Sequence, residues 1–180
     1  MDTNLAVVYL SILLVLLAGV GVLVFRQTFK TRRVETKLAQ LQKKLAKEPG
    51  TTEEYYELGG IYLNKKLYSQ AIANFQKALK AAEQEEEENQ ESIARIHNGL
   101  GYAYFTQEQY DLAIRQYKEA LKLNPDYITA LNNIGHAYER KNLTTQALEV
   151  YDRVLQSQPQ NTTAKQRSES LRKRIQPSST

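Results

Sequence analysis

The chain begins with a long apolar run that contrasts with the mixed polar and apolar pattern of the remaining residues. Residues 5–25, which begin at Leu5 and end at Phe25, contain no charged side chain. As an α-helix, at about 1.5 Å per residue, this run would span roughly 30 Å, the thickness of a bilayer core. A cleaved signal peptide needs a basic start, a shorter apolar core and a small-residue cleavage site, and the sequence has none of these. We therefore predict a transmembrane helix over residues 5–25, preceded by a short outside tail of residues 1–4.

A basic segment follows the apolar run and predicts the orientation of the chain. Arg26, Lys30, Arg32 and Arg33 lie directly after the run, whereas residues 1–4 contain no lysine or arginine. Because such basic segments stay on the cytoplasmic side, we predict that the N-terminus faces out and that the rest of the chain is cytoplasmic. Residues 26–50 are predicted to form a basic juxtamembrane segment and a linker helix that docks on the next element. The linker's narrow apolar stripe consists of Val34, Leu38, Leu41 and Leu45.

Further along, small, aromatic and aliphatic positions recur with the same spacing in three stretches, residues 52–85, 94–127 and 128–161. Each stretch is expected to form a pair of helices, as the resemblance of this pattern to a known helical-repeat family implies. The matching positions are Leu58, Gly59, Tyr62, Ala71, Phe75 and Ala78; Leu100, Gly101, Tyr104, Ala113, Tyr117, Ala120 and Pro125; and Ile134, Gly135, Tyr138, Ala147, Tyr151, Val154 and Pro159.

The recurring residues also predict how the two helices of each pair pack. The glycine and the alanine are small, so the two backbones can approach closely, and the aromatic residues then fill the space between helices. Proline cannot continue a helix, so Pro125 and Pro159 are predicted to follow the ends of second helices. The predicted N-caps of the second helices are Ser69, Asp111 and Thr145.

Two segments lie outside the three stretches. Residues 83–91 are an acidic insertion, and we predict that they extend the preceding helix by about two turns, because Glu and Gln are good helix formers. An acidic projection that recruits a basic partner is the alternative. Residues 162–176 are predicted to form a capping helix at the end of the stack, and residues 177–180 a tail. The predicted fold class is all-α, an N-terminal transmembrane helix plus an α-solenoid of three repeats with a C-terminal capping helix.

Composition argues against catalysis and against nucleic-acid binding. The chain has no cysteine, and its two histidines, His97 and His136, occupy different offsets in their repeats. No phosphate-binding loop, dinucleotide fingerprint or nucleophile elbow is present. The net charge is +4, in scattered clusters of both signs rather than one basic face. We predict no enzymatic activity, no cofactor, no metal ion, no small-molecule substrate and no nucleic-acid partner.

A stack of helix pairs offers a concave groove lined by the first helix of each pair, and we predict that a protein client binds there. Tyrosine is favoured at such interfaces, because it combines a large contact area with a polar tip. Leu63 and Phe105 could instead pack within the stack. The predicted lining residues are Tyr56, Gly60, Leu63, Arg95, Asn98, Tyr102, Phe105, Asn132, His136 and Glu139.

The repeated pattern over residues 52–161 resembles the tetratricopeptide-repeat family, which implies three antiparallel helix pairs. One subclass of that family grips the C-terminal carboxylates of chaperones through lysine, asparagine and arginine side chains. In this sequence the corresponding positions are Tyr56, Gly60, Gly99, Thr129 and Asn133. The resemblance therefore implies protein binding without this two-carboxylate clamp.

The layout of the whole chain is similar to the small membrane-anchored tetratricopeptide-repeat proteins of cyanobacteria and plastids that assist photosystem I assembly. Chain length, a single apolar span and three repeats carry this resemblance, together with Lys30-Thr31-Arg32-Arg33, Tyr56-Glu57-Leu58-Gly59 and Leu63-Asn64-Lys65-Lys66-Leu67. It implies a thylakoid scaffold whose repeats face the cytoplasm or stroma, with photosystem I subunits or assembly intermediates as clients. An organellar import receptor or a bacterial envelope-assembly protein is the alternative.

Overall fold

The structure, a computed structural model, describes residues 2–85 and 89–175, and describes side chains in the first helix from residue 7 onward. Within these residues the regular secondary structure is entirely α-helical, which confirms the predicted fold class. The chain divides into two units, Met1–Glu48 and Pro49–Thr180.

The N-terminal unit is one uninterrupted helix, α1 (Asp2–Leu45). Its segment Val7–Leu45 is long and apolar enough to cross a membrane, with a mean hydropathy of 2.9 in its most apolar window. The predicted outside tail is already helical from Asp2, where α1 begins. Met1 lies outside the described residues.

Among the described residues of the second unit, the helices form three pairs and one final helix. The first helices of neighbouring pairs contact each other, and the second helix of each pair packs against the next helix along the chain, as in an α-solenoid. The pairs are α2 (Thr52–Asn64) with α3 (Tyr68–Ala82), α4 (Gln90–Thr106) with α5 (Tyr110–Leu123), and α6 (Ile128–Arg140) with α7 (Thr144–Ser157), followed by α8 (Thr162–Ile175).

In each pair a glycine of the first helix packs directly against an aromatic ring of the second. The three contacts are Gly59 with Phe75, Gly101 with Tyr117, and Gly135 with Tyr151. A β-carbon built on these glycines would lie 2.7, 2.5 and 2.6 Å from the nearest ring atom, closer than atoms tolerate. The rings are almost completely buried, with 1%, 0% and 0% of their surface exposed. The predicted close approach at the glycines is therefore confirmed.

The turns within the pairs differ from the prediction. The residues predicted as N-caps are instead the second residues of α3, α5 and α7, namely Ser69, Asp111 and Thr145. The actual caps, Leu67, Gln109 and Leu143, make no side-chain hydrogen bond to the helix they precede, and a left-handed residue comes before each of them. These residues are Lys66, Glu108 and Asn142, with φ of 61°, 60° and 58°. The left-handed residue lets the following amide bond the carbonyl five residues back, as Leu67 N–H does to Tyr62 O at 2.9 Å, and this turn starts the second helix.

Helix α2 has a side-chain cap, and the predicted proline stops are confirmed. The Thr51 hydroxyl accepts from the Glu54 amide at 3.3 Å, and the Glu54 carboxylate accepts from the Thr51 amide at 3.1 Å, which is a capping box. Pro125 and Pro159 each lie two residues beyond a second helix, since α5 ends at Leu123 and α7 at Ser157.

The acidic insertion does not extend the preceding helix, and that prediction is wrong. Helix α3 ends at Ala82, and α4 begins at Gln90, where the Asn89 side chain caps it by accepting from the Ser92 amide at 3.0 Å. A run of glutamates opposes the negative end of a helix dipole, which favours termination before the run. Residues 86–88 lie outside the described residues.

The predicted capping helix forms as α8. It buries Ala164, Ser168 and Leu171 at a spacing that faces one side, and it packs against α7. The predicted final residue of this helix, at position 176, and the tail of residues 177–180 lie outside the described residues.

The glycine contacts predict opposite effects for two alanine substitutions. Gly101→Ala forces the new methyl group into the Tyr117 ring and should lower the free energy of unfolding by about 1–3 kcal/mol. Gly60→Ala, whose β-carbon would meet nothing within 4 Å, should raise it by roughly 0.5–1 kcal/mol through helix propensity. Urea unfolding of both variants, followed by circular dichroism, measures the difference. Equal effects would contradict the packing described here.

Candidate protein-binding groove

A cleft of about 560 Å³ opens between the first helices of the three pairs. Its size lies in the range of ligand-binding clefts in proteins. Most of the lining residues lie on α2 and α4, with one on α3 and two on α6. The lining residues are Tyr56, Glu57, Gly60, Ile61, Leu63, Asn64, Phe75, Arg95, Asn98, Gly99, Tyr102, Thr129 and Asn133. We call this cleft the groove.

Two glycines give the groove its depth. A β-carbon on Gly60 would meet no atom within 4 Å, so it would project into open space. A β-carbon on Gly99 would lie 2.9 Å from Cζ of Phe75. Because neither helix places a side chain here, the groove reaches down to the Phe75 ring, whose centroid lies 5.8 Å from that of Tyr56.

An exposed aromatic side chain lies on the α4 wall. Tyr102 is 44% exposed, and it is the one aromatic residue among the exposed large hydrophobic residues that the structure describes in the repeats. An exposed aromatic residue beside a deep cleft is typical of a protein-binding surface.

Polar side chains occupy the part of the groove nearest α6. Nδ2 of the Asn133 side chain donates a hydrogen bond to Oδ1 of the Asn98 side chain at 2.9 Å. This bond links the second and third repeats. The Arg95 guanidinium lies 5.8 Å from the Tyr56 ring centroid and donates through Nη2 to Ser92 Oγ at 2.9 Å. Both contacts hold groove residues in place before any client arrives.

The structure brings together six of the ten predicted groove residues, namely Tyr56, Gly60, Leu63, Arg95, Asn98 and Tyr102. The other four do not line the groove. Phe105 packs against the core of the second and third repeats and lies edge-on to Tyr110, with ring centroids 5.5 Å apart. It is close to the end of α4, where α5 folds back over it.

The remaining three predicted residues lie on α6, away from the groove. Glu139 accepts a hydrogen bond from the Tyr151 hydroxyl at 2.7 Å and lies 3.7 Å from the Arg167 guanidinium, so it connects α6, α7 and α8. His136 is half-buried against the Tyr151 ring. Its Nε2, like Oδ1 of Asn132, is buried and has no hydrogen-bond partner among the residues that the structure describes.

Burial controls the protonation of these groups. It lowers the pKa of His136, with a further lowering by the Arg167 charge that Glu139 opposes. Burial also raises the pKa of Tyr151 far above its ordinary value, and the hydrogen bond to Glu139 adds to this. Both side chains are therefore neutral at physiological pH, as expected of packing residues.

Sequence reasoning missed seven lining residues. Three of them, Gly99, Thr129 and Asn133, occupy positions of the carboxylate clamp, and that correspondence is a signal that could have identified them. The sequence predicts Phe75 only as a core residue. Its place in the groove lining depends on Gly59 and Gly99, which pack against its ring and which local sequence does not connect. The other missed residues are Glu57, Ile61 and Asn64.

Comparison with known proteins gives matches over most of the chain. Tetratricopeptide-repeat family models match residues 51–126 and 104–167. The protein ycf37 of Cyanophora paradoxa is 39% identical over 154 residues, which cover 86% of this chain and 87% of that protein. The chloroplastic tetratricopeptide repeat domain-containing protein PYG7 of Arabidopsis thaliana is 34% identical over 171 residues, covering 93% of this chain and 56% of PYG7.

A solved structure supports the fold alone. The crystal structure of YrrB, described as a tetratricopeptide-repeat protein with an unusual peptide-binding site, superimposes with a TM-score of 0.67. It shares 23% identity and covers 83% of this chain, which covers 73% of YrrB.

Alanine substitutions at Tyr102 and at Phe105 should lower the free energy of unfolding by different amounts. Phe105→Ala removes a packed ring and should lower the free energy of unfolding by about 2–4 kcal/mol. Tyr102→Ala removes an exposed ring and should lower it by less than about 1 kcal/mol. Chemical denaturation of the two variants makes the comparison. A larger loss for Tyr102→Ala would show that its ring belongs to the core.

The lowered pKa of His136 should make the stability of the protein depend on pH. Its folded-state pKa lies below the ordinary value of about 6.5, so its contribution is complete above that pH and is lost as the pH falls through the folded-state pKa. The melting temperature should therefore fall on acidification below about pH 6.5. In His136→Gln this fall should be smaller. An identical fall in both proteins would assign the pH dependence to other groups.

Proposed function

The chain belongs to the ycf37 family of tetratricopeptide-repeat proteins, and on that premise we propose that it is a membrane-anchored scaffold that assists the assembly or stability of photosystem I on the thylakoid membrane. Its fold is that of protein-interaction scaffolds rather than enzymes. The observation that carries the proposal is the groove, an open cleft with an exposed aromatic residue and a preformed polar end, within repeats that belong to this family.

The anchor in this proposal is the apolar part of α1. Val7–Leu45 has the length and composition of a membrane span, and Arg26, Lys30, Arg32 and Arg33 follow its most apolar part. By the positive-inside rule, the repeats then face the cytoplasm or the stroma. The chloroplastic relative supports a plastid-type membrane for the proposal.

Tethering to the membrane would strengthen the binding of a client to the groove. A client that is itself at the membrane meets a groove confined to the same surface, so the effective concentration of the two partners is high. The client is a protein, a photosystem I subunit or an assembly intermediate. Binding can then be weak per contact and still hold the client for the next assembly step, after which it is released.

Other anchored adaptors are the competing possibility. An import receptor that reads chaperone tails needs basic side chains for two carboxylates, whereas Gly99, Thr129 and Asn133 occupy clamp positions in the groove. No observation favours a bacterial envelope-assembly role over the photosynthetic one.

Deletion of the gene tests the proposed function. A photosynthetic host that lacks the protein should lose photosystem I relative to photosystem II, because fewer assembly intermediates are held at the membrane. Quantitative immunoblotting of one core subunit from each photosystem measures the ratio, and the wild-type gene supplied in trans should restore it. Equal amounts of both photosystems in the deletion strain would reject the proposal.

A further inference from the structure

One part of the groove lining is apolar and largely aromatic. Tyr56, Leu63 and Tyr102 line this part, and the almost completely buried Phe75 ring lies beneath it. Gly60 leaves open space where another residue would place a side chain, whereas Gly99 on the facing helix packs directly against the Phe75 ring. The space is therefore suited to a bulky apolar side chain from outside, which would contact aromatic rings on more than one side.

A positive charge lies beside this apolar space. Arg95 lines the same groove, and its guanidinium is positioned by the Tyr56 ring and by Ser92. No carboxylate pairs with Arg95 in residues 2–85 and 89–175. Glu57, the one acidic residue of the lining, already has an interaction within the chain. A guanidinium held by an aromatic ring and a hydroxyl is well placed to bind a carboxylate.

Asn98 and Asn133 could form hydrogen bonds with the main chain of a bound peptide. Asn133 uses an amide N–H, and Asn98 its carbonyl oxygen, in the bond between them. This bond leaves the amide N–H donors of the Asn98 side chain and the amide oxygen of the Asn133 side chain unused, and both residues line the groove. A donor and an acceptor side by side match the alternating groups of an extended peptide backbone.

We propose that the groove recognises an extended client segment with a bulky apolar side chain, aromatic or leucine, that enters the open space at Gly60, next to an acidic residue that pairs with Arg95. This inference rests on the proposed function, because it names the chemistry of the client segment that the same groove would hold. The open space at Gly60 would select the apolar side chain of the client, and Arg95 would select the acidic one.

A phage-displayed library of random heptapeptides, selected on the full chain in lipid nanodiscs, tests this assignment. The selected peptides should be enriched in Phe, Tyr or Leu adjacent to Asp or Glu. Gly60→Gln fills this open space without meeting another atom at its β-carbon, and it should reduce the recovery of these peptides by about tenfold or more. Glu53→Gln, at an exposed position of the same helix, is the matched control and should behave as wild type.

Arg95→Gln separates the two parts of the proposal. It should keep the enrichment of apolar residues and abolish that of acidic neighbours. Enrichment of basic peptides, or equal recovery on wild type and on a folded Gly60→Gln, would overturn the proposal. In the host, a deletion strain that loses photosystem I but is fully rescued by Gly60→Gln would reject the groove assignment alone. A deletion strain with normal photosystem I would reject the proposed function instead.

Discussion

The contact between a glycine and a buried aromatic ring is the constraint on which the repeats depend. Gly101 and Tyr117 illustrate it, because no other residue could bring the α4 backbone so close to that ring. The same contact in the other two pairs gives three units of one geometry, and units of one geometry can stack. The first helices then come to line one face. The groove is thus a consequence of packing inside the pairs.

Adjacent glycines on α2 show how one helix serves both packing and binding. Successive helical residues point about 100° apart, so Gly59 faces Phe75 while Gly60 faces open space. A side chain on the first would disrupt the pair, and a side chain on the second would fill the groove. The stability of the stack and the capacity of its groove are therefore controlled by neighbouring positions and can be altered separately.

Much of this fold was predictable from local pattern, and the parts that were not depend on three-dimensional context. The glycine contacts, Thr51 cap and proline stops follow from residue type and spacing. The prediction of the turns before α3, α5 and α7 was wrong, because a residue in the left-handed conformation precedes each cap. These residues are Lys66, Glu108 and Asn142, and none of them is the glycine that most often marks this conformation in a sequence. Phe105 and His136 share the helix faces expected for the groove, but Tyr110 of α5 packs against Phe105 and Tyr151 of α7 packs against His136. Such coverage depends on how the following helices fold back.

The central claim is that the groove holds photosystem I assembly clients, and site-specific cross-linking in the host tests it most directly. A photoreactive phenylalanine analogue would replace Tyr102 in the groove and, in a second strain, Leu112 on α5, outside the groove. The two positions are similarly exposed, at 44% and 41%. The account predicts adducts with photosystem I subunits or assembly intermediates from position 102 and not from position 112. Identical adducts from both positions, or adducts at 102 that contain no photosystem I protein, would contradict it.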